Sequence, residues 1–119
     1  MMEVREIRLP DGNRWAVCEI ARTMWQRMRG LLGRDGLPHG HALWIRRCGS
    51  VHTVGMRFAI DLVFLARNNT VVRVIPNVRP GRPFVWGGWK ATSVIESEAG
   101  DLDLSLVPPG THVRVGDRE

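Results

Sequence analysis

The stretch FAIDLVFLARNNTVVRVIP, residues 58–76, decides the fold. Two runs rich in β-branched and aromatic residues, 58–66 and 70–76, flank Arg67-Asn68-Asn69, and the asparagines tolerate the positive φ that a tight turn demands. The stretch therefore predicts an antiparallel hairpin. A two-residue turn at Asn68-Asn69 sets Phe64 opposite Arg73 and Val63 opposite Val74. The first run is apolar almost throughout, which predicts a central strand covered on both faces. Its exception is Asp61. An ionised carboxylate in such surroundings is costly to bury unless it is paired or hydrogen-bonded. By strand parity Asp61 shares a face with Val63 and Leu65, away from Arg73, and Arg57 lies about 13 Å back along an extended chain. A cluster of backbone amides or an arginine from another element is the expected partner.

Working outward, VREIRL and RWAVCEI alternate on either side of an Asp11-Gly12 turn signal and predict a first hairpin, with Val4, Ile7, Trp15, Val17 and Ile20 among its apolar residues. Thr23 followed by Gln26 three residues later is a capping-box pattern that opens a helix. Met24, Met28, Leu31 and Leu32 are expected to face the core, Arg27, Arg29 and Arg34 the solvent, and Gly33 to end the helix. Gly30 inside it costs about 1 kcal/mol relative to alanine, so either a neighbour packs tightly there or the helix is short. ALWIR, KATSVIES and THVRV read as strands, DLDLSL as one helical turn or an edge strand, and NVRPGRPFVWGGW as loop. Seven or so short strands with one short helix near residues 24–32 define a mostly-β, single-domain protein spanning residues 1–119, a β-sandwich or partly closed barrel.

At 119 residues the chain supports a real core without disulfide staples. It has no apolar run near the roughly 18 residues that cross a bilayer, and the opening MMEVREIRLP lacks the apolar centre of a secretion signal, so the expected location is the cytoplasm. Only Cys18 and Cys48 occur, both expected reduced, with Cys18 a buried hydrophobe. Charge is uneven. Residues 22–90 hold eleven arginines and Lys90 against Asp35 and Asp61, a local balance of +10, whereas residues 95–119 hold six acids against Arg114 and Arg118. If those acids do not fold onto the arginine-rich middle, a positive face is left for an anionic ligand or an acidic partner. Nucleic acid is not the expected partner, because sixteen arginines to one lysine reflect genome composition as readily as a need for guanidinium groups.

Three segments carry candidate chemistry. CGSVHTVGM, residues 48–56, places Cys48 and His52 four apart; a nucleophile-and-base pair needs a third group to orient the ring, for which Ser50 or Asp61 is available. His39, His41, Cys48 and His52 offer four soft ligands within fourteen residues, with His112 as a stray. Neither a CxxC nor an HExxH framework accompanies them, and no metal or cofactor is expected. Trp86 and Trp89 near Arg79, Arg82 and Lys90 either stack on a ligand or form a lid that packs its own aromatics. The ligand-binding candidates are His52, Asp61, Glu96, Trp86 and Trp89, in a cleft near Asp61 and the 48–57 turn. The principal expectation is a ligand- or partner-binding accessory module. The alternative is an enzyme, hydrolytic in type, using Cys48 and His52 or Asp61 and Glu96.

ARTMWQRMRGLLGR, CGSVHTVGMRFAIDLVFL and VIESEAG, in this order and spacing, resemble the small bacterial and archaeal family known as domain of unknown function 192. The resemblance spans roughly residues 20–115 and implies a β-rich sandwich or barrel with a short helix; it implies no activity. Arg27, Gly30, Leu31 and Arg34 match its first motif, Asp61 the acid of its central strand, and Glu96 with Gly100 its acid-then-glycine motif. In much of the family an aromatic residue stands where this chain has His52, so Cys48–His52 chemistry is not implied for the family as a whole.

Overall fold

The computed structural model describes residues 2–118. Among these residues nine strands and one short helix form: β1 (Glu3–Arg8), β2 (Arg14–Ala21), α1 (Met24–Arg29), β3 (His41–Arg46), β4 (Ser50–Val51), β5 (Ile60–Leu65), β6 (Val71–Val78), β7 (Val85–Trp86), β8 (Ser93–Glu98) and β9 (Arg114–Arg118). Leu104–Leu106 make a 3-10 turn, which settles the ambiguous DLDLSL segment. Seven strands join in one sheet, ordered β6-β5-β8-β3-β2-β1-β9, while β4 and β7 form a separate ribbon. Every pairing is antiparallel except β2 with β3, whose parallel register requires the chain to cross over through α1. The sheet curls without closing, since β6 and β9 do not pair with each other. Thr70 bridges His112, and backbone bonds from Val71 to Thr111 and from Val113 to Asn69 link the start of β6 to the segment leading into β9. The architecture is thus a mostly-β, partly closed barrel.

The decisive hairpin forms as its sequence dictates. All six residues of β5 are buried, and Val63 pairs with Val74 and Phe64 with Arg73. Its turn differs in one detail. Ala66 and Thr70 close a three-residue loop in which Asn69 takes φ 65°, and an extra residue between the partners of Phe64 and Leu65 restores the register that a two-residue turn would have given.

Side chains alternate across the sheet and build two cores. Cys18, Ile20, Trp44, Val63, Leu65 and Ile95 pack inside the curl. Leu43, Ile45, Ile60, Leu62, Phe64 and Val94 pack on the outer face, beneath Leu31, Val51, Met56 and Val85 from the covering segments. Gly87 lets the tryptophan loop settle onto this outer layer: a β-carbon there would overlap the Phe64 ring and stand 2.8 Å from the Ala91 methyl. Gly87→Ala is expected to cost about 2 kcal/mol or more in urea unfolding, with part of the loss recovered by adding Phe64→Leu. Additive losses in the double variant would show that the contact is not the cause.

The helix departs from its periodicity. The capping box forms as expected, but α1 ends at Gly30 (φ 52°) rather than Gly33, and Met24 and Met28 are 71% and 66% exposed. Leu31, just beyond the helix, is the residue that enters the core. Six residues cannot sustain an apolar stripe, so the anchoring of Leu31 fixes the rotation of the helix and turns Arg27 inward. No helix among the described residues is long and apolar enough to cross a membrane.

Candidate functional site

On the outer face Glu96 stands between Leu43 and Leu62 of the flanking strands, two residues from buried Val94. It is 4% exposed, and no protein group among the described residues donates a hydrogen bond to its carboxyl. Desolvation raises its pKa to about 7. The carboxyl lines a cavity of about 130 Å³ whose wall also includes Arg27, Gly30, Cys48, Ser50 and His52. Gly30 keeps this space open: a β-carbon there would lie 3.7 Å from Glu96 Oε1. Of the two explanations that Gly30 suggested, the short helix is the one present: Gly30 ends it with φ 52°, and its neighbours stand at ordinary contact distance.

Arg27 sits on the same wall. Its Nη2 donates to the Arg47 carbonyl at 2.6 Å, while its Nε is buried with no partner. A buried carboxyl and a buried guanidinium nitrogen therefore share one cavity without forming an ion pair. The Cys48 thiol donates to the Ser50 carbonyl at 2.9 Å, and burial pushes its pKa up, which leaves it a weak nucleophile near neutrality. His52 is exposed, and no hydrogen bond joins it to Cys48.

Asp61 occupies the other face. It is 2% exposed and accepts from the Asn77 amide at 2.8 Å and the Gly100 amide at 3.0 Å. The amide cluster expected from its burial is what holds it; Arg57 instead pairs with exposed Asp35. Asp61 borders a shallow cleft with Pro76, Asn77 and residues 99–104, not the 48–57 turn. One cleft shared by Asp61 and that turn is thus corrected, because Asp61 and Glu96 sit on adjacent strands with opposite parity and point away from each other.

The tryptophan loop forms a ribbon edge, with Ser50 paired to Trp86. Trp86 and Trp89 meet edge to face at 4.9 Å, and Trp89 is 93% exposed. His39 and His41 lie at the start of β3, whereas Cys48 and His52 lie beyond its end, so the four do not converge. His39 Nδ1 lies 2.6 Å from Asp101. Among the described residues no group of three or more metal-capable side chains gathers.

Among the described residues, the acids near the C-terminus do not pair with the arginine-rich middle. Asp61 and Asp101 are engaged by backbone amides, Asp103 caps the 3-10 turn, and no carboxylate among the described residues pairs with Arg29, Arg46, Arg47, Arg67, Arg79 or Arg82. Sequence reasoning missed Arg27 as a cavity residue. Its signal was Gly30, which ends the helix early and so sets the rotation that turns Arg27 inward.

Fold and site together define a small curled-sheet protein with a buried acid in a cavity. Residues 7–115 match DUF192, described as an uncharacterized ACR, and the chain belongs to that family. No curated protein matches the sequence. Among solved structures, a protein of Sinorhizobium meliloti 1021 described as a candidate transcription regulator is 20% identical with a TM-score of 0.80, over 97% of this chain and 94% of that one. A protein of unknown function from Novosphingobium aromaticivorans DSM 12444 is 19% identical with a TM-score of 0.76, over 93% and 83% of the two chains. Both likenesses show the fold alone.

Proposed function

We propose that the chain is a single-domain, cytoplasmic accessory module that binds a small organic acid in the cavity between Glu96 and Arg27. The observation that carries this reading is the buried, unpartnered Arg27 Nε on the same cavity wall as the largely buried Glu96 carboxyl, with no ion pair between them. Unmatched buried polar groups are rare and mark a place where a partner belongs. A carboxylate ligand answers both: it shares a proton with Glu96, whose raised pKa of about 7 keeps it protonated in mildly acidic solution, and accepts from Arg27 Nε. The cavity has room for roughly four waters or a few heavy atoms.

The uncompensated arginines favour an anion, or an acidic partner, over a cation. His52 lines the rim of the same cavity, whereas Asp61 serves the fold. Trp86 and Trp89 meet edge to face rather than standing as parallel platforms for bases, and nucleic acid is not the proposed ligand. Two free thiols suit a reducing compartment.

Acetate, glycolate and lactate, titrated into the protein at pH 6 and pH 8, test the proposal by thermal unfolding. A rise in Tm that is larger at the lower pH and absent in Glu96→Leu is expected. An equal rise in that variant, or none in the wild type, would remove the support.

A further inference from the structure

A second cavity lies at one end of the sheet, where β3 and β5 leave it and β8 enters. Its volume is about 500 Å³, the size of a small-molecule site. Arg46, Arg47 and Arg67 line it together with Asn69, Thr92 and Ser93, and no acid does. Like charges held around one hollow repel one another unless something of opposite sign sits between them.

Of the three arginines, Arg46 has a fixed side chain and Arg47 a fixed backbone, while Arg67 is exposed. Arg46 stacks on the buried Trp44 ring, 4.8 Å from its centroid, and burial together with Arg22 holds its guanidinium below the ordinary pKa. Arg47 takes φ 51°, a conformation uncommon for an arginine, and its carbonyl is gripped by Arg27. Two of the three non-glycine residues with positive φ, Arg47 and Asn69, lie on this one cavity. The Asn69 conformation belongs to the hairpin turn, so the strained backbone at this cationic hollow is that of Arg47, as is found at ligand sites.

We propose that this cleft binds a phosphorylated small molecule, its phosphate held by the forks of Arg46, Arg47 and Arg67. Three guanidinium groups around one hollow match a doubly charged oxyanion better than a single carboxylate, and the remaining volume accommodates an organic moiety. The site is independent of the Glu96 cavity, although Cys48 borders both.

Calorimetry with inorganic pyrophosphate and with adenosine monophosphate, at low salt, tests it. Saturable binding at one site is expected, weakened about tenfold or more by Arg67→Ala and by Arg47→Gly, and unchanged in Arg79→Ala. Arg47→Gly suits the positive φ and Arg67 is exposed, so both variants are expected to fold even if Arg46→Ala does not. Glu96→Leu should leave pyrophosphate binding intact, which separates this site from the organic-acid cavity. Absence of binding at millimolar pyrophosphate overturns the proposal, as does equal weakening by Arg79→Ala. So does a single-stranded oligonucleotide that binds through Arg67 without being displaced by pyrophosphate.

Discussion

Asp61→Ala is expected to lower unfolding stability by about 3 kcal/mol, among the largest losses any one side chain of this protein can produce. Its two oxygens hold the amide of Asn77, where β6 bulges with φ 52°, and the amide of Gly100, in the turn after β8. Removal strands both donors and loosens two segments that this carboxylate ties together. Asp61→Asn retains one acceptor and sets an amino group against the other amide, so about two thirds of the loss should remain. Asp35→Ala removes an exposed pair with Arg57 and should change stability by less than about 0.5 kcal/mol. Urea unfolding of the three variants at one pH checks the order; a neutral Asp61→Ala would refute the role given to it here.

Glu96→Gln should stabilise the protein in alkaline solution and leave it unchanged in acid. Burial raises the folded-state pKa of Glu96 to about 7 from an ordinary 4.5. Below the lower value the group is protonated in both states, and its burial stability is fully present. As pH rises, the unfolded chain ionises first, and stability falls until the folded state also releases its proton near pH 7. The whole loss is about 3 kcal/mol, and it levels off above that pH. Arg27, Cys48 and His52 face the same cavity and are common to both proteins, so the difference between wild type and variant isolates Glu96. Unfolding curves taken from pH 4 to pH 8 should converge at the acid end and separate toward neutrality. Parallel curves would mean that the carboxyl is solvated or paired in solution.

These two acids show how far the sequence could be read. Asp61 was legible because strand parity placed it among Val63 and Leu65 and the cost of an unpaired carboxylate demanded donors nearby; only the identity of those donors, residues 77 and 100, required the fold. Glu96 was harder. SVIESEAG has polar neighbours, and its burial arises from Leu43 and Leu62 on strands that are distant in sequence. The helix was half legible: Thr23 and Gln26 set its start through local hydrogen bonds, but its rotation was misread because Met24 and Met28 imitate a core stripe that six residues are too few to enforce.

By itself the sequence determined the hairpins, the capped helix start, the mostly-β class and the need to satisfy Asp61, since each depends on neighbours within a few residues or on the period-two alternation of a strand. Tertiary structure alone decided that β2 and β3 run parallel, that Glu96, Arg27 and Cys48 share a cavity, and that, among the described residues, Arg46, Arg47 and Arg67 stay without a carboxylate partner. Those outcomes depend on where distant strands bring side chains in space, and the free energy of such contacts is set by burial and distance, neither of which is encoded in local spacing.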